Sequence, residues 1–573
     1  MHQPKTNRIV HTLLFGCLLL IAVVLLPMPA TAAMDASVPG LTTEEVMRLG
    51  ELMYRQGLLP NGEPIKAYVT NDVPVDGTVF SCDSCHLHSG LGSIEGEVIT
   101  PPTNGRILYE PREPFIKGSE FVPSYSNYAK YLPVRPAYTD ESLADLIAVG
   151  VDPTGRSVLE VMPRYDIAGR DMEIMIAYLK MLSDEPPPGV TDEHINFATV
   201  IVEGTDPVKV DSMLVPIEDS VHRKNSLNVA SRNNDRVARM GYNMLGDLTF
   251  VTFSLAKWTL SGPPETWRDQ LEKYYAEEPV YALLGGISEG DWEPVHRFCE
   301  DHQIPNLFPV VDYPVISDTD WYTQYLSRGI RQEGETAARY LSGLADLFSG
   351  REVVQIVRDD RRNRTLAEGF RAVWNSRGNP PAVEIKLSAD QTFTGLDMQQ
   401  VIAEHKPAVL LFWDAPEQLL PSLAGLVGLK AAPSIVITSG AAFGDDILNI
   451  PAELRKMLYM TYPYRLPQDD ARFDIIANSV LAGKQKSNYD PRVLRKAYVS
   501  QKVLGMALME MRGEYYQDFL LDMIGMMEDQ YFPLYQRLSF GPGQRYASKG
   551  CYIVQLGKGE NPVLERRSEW VIQ

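Results

Sequence analysis

Thr42 and Glu45 have capping-box spacing, and Val46, Leu49, Leu52 and Met53 recur behind them on one face, so the pattern predicts a helix starting near Thr42. Gly50 and Tyr54 lie one turn apart on it. A second helix, around Asp171 to Ser183, carries Ile174, Ala177, Tyr178, Leu179 and Met181, and a small residue on one helix would let the other cross closely. Glu185-Pro186-Pro187-Pro188-Gly189 breaks that helix and reads as a semi-rigid linker, which puts a domain boundary there. Beyond it, strand-like runs at Ile195 to Val202, Val280 to Leu284, Val353 to Val357, Ala408 to Trp413 and Ser434 to Thr438 alternate with helical patterns at Val237 to Gly246, from Trp292, and from Thr365 to Arg377. Such alternation predicts parallel sheets covered by helices. Past Ile475 the helical pattern is rich in methionine (Val503, Met506, Met509, Met511, Met523, Met526, Met527), a spacing that fills core more simply than it binds copper. Tyr552 to Leu556 and Trp570 to Ile572 alternate like edge strands.

The 573 residues exceed what one hydrophobic core supports, so two or more folded units are expected. A formal charge of −20 argues against nucleic acid or an anionic membrane surface as partner. Lys5 and Arg8 precede an apolar run from Leu13 to Leu26, then Pro27 and Ala30-Thr31-Ala32, which reads as a secretory signal over residues 1–33. That run is shorter than the ~20 residues of a membrane span, so no stable span is expected after cleavage, and the mature chain is expected in the periplasm. Cys17 lies inside the run and would leave with it. An oxidising compartment would allow Cys299 and Cys551 to pair, although their separation cannot be read from sequence.

The run Cys82-Asp83-Ser84-Cys85-His86 changes the picture most. Two thiols at this spacing can add across haem vinyl groups, and the adjacent imidazole then stands beneath the iron. Zinc also accepts such a pair, but a closed zinc site needs four ligands and no second cysteine pair lies nearby. The succession of a helix with Gly50-x-x-x-Tyr54, the Cys-x-x-Cys-His run, Met162-Pro163 and a helix with Tyr178-Leu179 resembles a class I cytochrome c domain over residues 40 to 186. That resemblance implies an all-α fold around one covalent haem c, tethered by Cys82 and Cys85. It implies His86 and Met162 as the axial ligands of the iron.

The larger part, residues 190–573, resembles a type I periplasmic binding protein of the branched-chain amino-acid receptor group. Val280 to Ser288 followed by Gln303-Ile304-Pro305-Asn306-Leu307 carries the likeness in a first lobe of about 190–345 plus C-terminal returns. Val353 to Asp359, Glu368-Gly369-Phe370, Gly378 and Lys406 to Leu410 carry it in a second lobe of about 350–470. The expected fold class is thus multidomain, all-α and then two-lobed α/β. The resemblance implies a small-molecule ligand between the lobes, near Gly286, Ser288, Tyr313, Asp414 and Ser439, with Asp414 suited to an ammonium group. Val310-Val311-Asp312-Tyr313-Pro314 is bulkier and more acidic than in amino-acid receptors, and Val215 to Arg232 carries His222, Arg223 and Lys224 in place of a glycine-rich loop. Both departures argue against an ordinary amino acid.

Together these readings give an expected periplasmic monohaem cytochrome that transfers single electrons, with a receptor-like domain that binds a small molecule or docks a redox partner protein. A solute receptor with a redox-sensing or structural haem, and a haem-dependent dehydrogenase subunit, are the alternatives. No hydrolytic or phosphoryl-transfer motif suggests a stand-alone catalyst.

Overall fold

The computed structural model of the protein describes residues 34–69, 73–95, 98–114, 132–344, 348, 350–470, 488–541 and 544–572. The secretory signal read in residues 1–33 lies outside them. The chain divides between Glu185 and Pro186 into two compact units. Among the described residues no helix is long and apolar enough to cross a membrane.

In the first unit, helix α1 (Thr43–Gln56) starts at the capping box of Thr42 and Glu45 and ends at Gly57, whose φ of 65° suits a residue without Cβ. The one-turn helix α2 (Asp83–His86), α3 (Asp140–Val149) and α4 (Arg170–Met181) follow. Val46, Met53 and Tyr54 of α1 pack with Leu143 and Leu146 of α3 and with Ile174, Met175 and Tyr178 of α4. The crossing of α1 on α4 depends on Gly50: a Cβ there would lie 2.2 Å from Tyr178 Cβ. Gly50→Ala is therefore expected to overpack the crossing and lower the unfolding free energy by about 1–3 kcal/mol, read as a lower urea midpoint. An unchanged midpoint would mean that the helices part freely.

The unit is not all-α. Strands β1 (Lys66–Val69), β2 (Val73–Asp76) and β3 (Arg164–Tyr165) form an antiparallel sheet in the order β2-β1-β3. Ala67 turns into the core while its neighbours turn outward, the alternation of a half-buried strand. The sheet matters for the site because Ala67 pairs with Tyr165 and Tyr68 with Arg164, just after Met162-Pro163.

The second unit is two-lobed and α/β. In the first lobe β4 (His194–Val202), β5 (Thr252–Leu260), β6 (Ala282–Leu284), β7 (Asn306–Leu307), β8 (Thr323–Ser327) and a late strand run parallel in the order β5-β4-β6-β7-β8, closed by that strand. Helix α5 (Pro207–Asn233) fills the stretch that includes Val215 to Arg232. A helix thus stands where the sequence showed no glycine-rich loop: Asp206 caps it by accepting from Val208 N (2.9 Å), and Pro207 at its first position needs no donor.

The chain crosses into the second lobe after Ser327. Helix α6 (Arg331–Ser342) leads to β9 (Val353–Arg358), α7 (Arg361–Ser376), β10 (Val383–Leu387), β11 (Val409–Trp413), β12 (Ile435–Ser439) and β13 (Leu458–Tyr462). These strands are parallel in the order β10-β9-β11-β12-β13. Val354, Ile356, Leu410 and Phe412 enter one core, whereas Val353, Val357, Leu411 and Trp413 enter another. Burial on both faces is why these strands read as continuous apolar runs.

Helix α8 (Pro491–Met511) returns to pack on α5 in the first lobe, and β14 (Tyr546–Ser548) supplies that lobe's late strand beside β8. One residue later the chain crosses again into β15 (Gly550–Leu556), antiparallel between β13 and β16 (Leu564–Arg566). The expected edge strand at Tyr552 to Leu556 is therefore interior and wholly buried. Cys299 lies in the first-lobe core and Cys551 on β15, both as free buried thiols, so the pairing allowed by the sequence is not made.

Candidate functional site

A cavity of about 490 Å³ in the first unit is lined by Cys82, Cys85, His86 and Met162, four residues singled out by sequence. Tyr54, Leu108, Tyr138, Leu143, Met175 and Leu179 supply apolar wall, and Arg112, Arg135 and Arg156 add cationic side chains. The volume lies within the ~300–1,000 Å³ of small-molecule and cofactor pockets.

Local hydrogen bonds set the thiols and the imidazole. His86 N donates to Cys82 O (2.9 Å), closing the turn that brings both cysteines and the histidine to one cavity. His86 Nδ1 lies 2.8 Å from Pro101 O, which fixes the ring and would leave Nε2 as the nitrogen that could ligate a metal. Burial lowers the His86 pKa and outweighs the opposing effect of that bond, so the imidazole is neutral at pH 7, the form that ligates. Burial, with the Asp83 carboxylate adding to it, pushes the Cys82 thiol up to about 12, while Cys85 is exposed. Tyr54 donates to Leu87 O (2.9 Å) and so ties α1 to the end of α2.

Met162 reaches the cavity from a loop that ends at β3. Arg135 is buried: its Nη1 donates to Leu108 O (3.1 Å), Glu110 O (3.0 Å) and Pro136 O (2.9 Å), and its Nη2 to Ile107 O (2.9 Å). Arg156 donates from Nε to Asp152 Oδ2 (3.0 Å). Two thiols three residues apart, an adjacent neutral imidazole, a thioether and an apolar wall are the donor set that a covalently tethered haem requires.

The five residues expected near the interlobe cleft are all found near the ends of strands, but the structure gives most of them other work. Gly286 has φ 100°, and a Cβ there would lie 2.6 Å from Trp292. Ser288 Oγ donates to Asp291 O (3.0 Å) and accepts from Gly290 N (3.1 Å), closing its own loop. Asp414 is corrected as an ammonium receptor: its carboxylate accepts from Arg358 Nε and Nη2, both at 2.8 Å, and both side chains are buried. Its charge is already neutralised. Ser439 donates to Glu333 Oε1 (3.0 Å), and Thr461 donates to Glu333 Oε2 (2.8 Å). Burial raises the Glu333 pKa, and Arg362 opposes the shift.

Tyr313 is half-buried. The guanidinium carbon of Arg361, from the second lobe, lies 4.0 Å from its ring centroid, and Arg361 Nη2 lies 3.7 Å from Asp291 Oδ1 of the first. Arg361, Arg362 and Glu333 escaped the sequence reading. The available signal was Arg361-Arg362-Asn363-Arg364 directly after a strand, where a helix N-terminus disfavours cations.

No family profile matches the chain, and no curated protein does. Solved structures are similar to about two thirds of it. A putative branched-chain amino acid ABC transporter protein from Rhodospirillum rubrum is 13% identical over 66% of this chain and 99% of its own, with TM-score 0.48. A substrate-binding protein from Sphaerobacter thermophilus is 16% identical over 66% and 98%, with TM-score 0.47. A solute-binding protein from R. palustris in complex with 4-hydroxybenzoate is 15% identical over 66% and 97%, with TM-score 0.45. The larger unit has a periplasmic binding protein-like fold. Its own topology carries that statement: two parallel sheets of like strand order, joined by three crossings.

The expectation of an electron carrier as the main function is corrected accordingly. Most of the chain is this two-lobed α/β unit with a periplasmic binding protein-like fold, and the cavity that brings Cys82, Cys85, His86 and Met162 together belongs to the smaller unit.

Proposed function

We propose that the chain is a periplasmic solute-binding receptor of a transport system whose first unit carries one haem c as a redox-sensing or structural group. The carrying observation is the cleft of the second unit, where Arg361 of one lobe reaches Tyr313 and Asp291 of the other, so that groups from both lobes meet where a solute would lie. The export signal read in residues 1–33 supports the compartment.

The solute class follows from the charge that solvent reaches, Arg361, whose only ion pair among the described residues is the long, exposed one to Asp291 (3.7 Å). Asp414 is neutralised by Arg358, and Glu333 is enclosed by Ser439 and Thr461, whereas Arg361 is exposed at the cleft. A carboxylate-bearing solute answers that cation and gains from the helix N-terminus behind it. Haem is supported by the convergence of Cys82, Cys85, His86 and Met162 on one apolar cavity. When bound it would supply a centre whose oxidation state responds to its surroundings. The chain's part is to tether it through the two cysteines and to offer neutral His86 on one side.

Titration calorimetry of the mature protein with leucine, benzoate and 4-hydroxybenzoate, alongside small-angle scattering, tests the receptor. The expected result is binding of a carboxylate with a fall in radius of gyration, weakened about tenfold or more in Arg361→Ala, as loss of one charged hydrogen bond of about 1.5–3 kcal/mol requires. A chain that binds no member of a broad solute panel, with scattering that never changes, would overturn it. Comparing ferric and ferrous protein separates the two haem roles: unequal solute affinities mean sensing, equal ones mean structure.

A further inference from the structure

The loop that carries Met162 has little packing of its own. Leu159 is 68% exposed and Val161 58%, and Glu160 between them is exposed as well. A loop so exposed gains little burial energy to hold Met162 at the cavity, so something else must hold it there.

One side chain clips both ends of the loop. Arg164 Nη1 donates to Met162 O, and Arg164 Nη2 donates to Val158 O (3.2 Å). Arg164 is itself fixed at its backbone, since it pairs with Tyr68 in the small sheet. Its guanidinium is seated against Gly150, the residue that ends α3 with φ 75°: a Cβ there would lie 1.9 Å from Arg164 Nε. The seat therefore requires glycine for space as well as for backbone conformation. Gly150 O also accepts from Val158 N (2.9 Å), which ties the start of the loop to the same point.

The geometry points to Arg164 as the positioning residue that holds Met162 toward the cavity for the sixth coordination site of the haem, an inference that rests on the haem reading above. The planar fork suits the task, because its two Nη donors reach two carbonyls at once. Lysine offers one ammonium on a flexible stem and cannot span both ends in one arrangement.

The test uses the full mature chain from a haem-c-maturing periplasm and reads the sulfur-to-iron charge-transfer band of the ferric protein. Wild type is expected to show the band and Met162→Ala to lack it. Arg164→Ala is expected to keep its haem content and far-UV circular dichroism while shifting the equilibrium between attached and detached Met162 at least about tenfold, equivalent to about 1.4 kcal/mol. Arg164→Lys should fall between them, and it carries the test if the alanine variant does not fold. A band equal to wild type across temperature in both Arg164 variants would overturn the assignment. Haem without a Met162-dependent band in wild type would overturn it while leaving the haem reading standing. A wild-type chain without covalent haem would remove both.

Discussion

Replacing Cys82 and Cys85 together by serine is expected to abolish covalently retained haem. Both side chains line the same cavity, and the turn between them is closed by the bond from His86 N to Cys82 O, so the tether needs no rearrangement of the backbone. Serine keeps nearly the same shape but forms no thioether. His86 keeps its bond to Pro101 O in the variant, and the apolar wall is untouched, so dissociable haem could still enter. The measurement must therefore separate tethered from dissociable haem. After denaturation and acidified-acetone extraction, wild type is expected to keep its haem with the polypeptide and the double variant to release all of it. Each single variant should retain haem through one thioether, with the pyridine haemochrome spectrum shifted by the unsaturated vinyl group. Extractable haem in wild type would remove the covalent reading, and no haem in any form would remove the cofactor.

The parts of this site that were legible in sequence are local. The capping box at Thr42 and Glu45 involves residues three apart, and Cys82, Cys85 and His86 belong to one turn. The alternation of runs beyond Pro186 showed strands because burial on both faces leaves no polar positions in them. Helix α5 was hidden for the opposite reason: Ser212 to Ile217 are buried, much of the remainder faces solvent, and Pro216 sits inside, so no single stripe persists over the 27 residues. Strand β5 was missed because most of its residues are only partly buried. The small sheet of the first unit joins β1 to β3 across nearly a hundred residues, a pairing that no local pattern announces. Arg164 was invisible as a positioning group for the same reason: its seat at Gly150 appears only once both segments are placed.

Sequence located Asp414 at a strand end but did not show its internal partner. It lies beyond the end of β11, where the resemblance put it, yet its carboxylate faces a guanidinium 56 residues earlier in the chain. Arg358 also donates from Nη1 to Ser388 O (3.0 Å) and Gln391 O (2.7 Å), and Asp414 Oδ1 accepts from Ala415 N (2.8 Å), so the pair anchors two loops of the second lobe. With the side chains 8% and 1% exposed, removing one partner leaves the other charge buried and alone. Asp414→Ala is therefore expected to destabilise the second unit by about 3–5 kcal/mol, seen as a large fall in its urea midpoint. A double variant, Arg358→Met with Asp414→Leu, removes both charges at similar volume and should recover much of that loss. An ammonium-binding Asp414 predicts another pattern: near-normal stability in Asp414→Ala, with loss of affinity confined to cationic solutes. Stability and calorimetry on the same preparations decide between them, because a carboxylate already held by two charged hydrogen bonds has little left to offer a ligand.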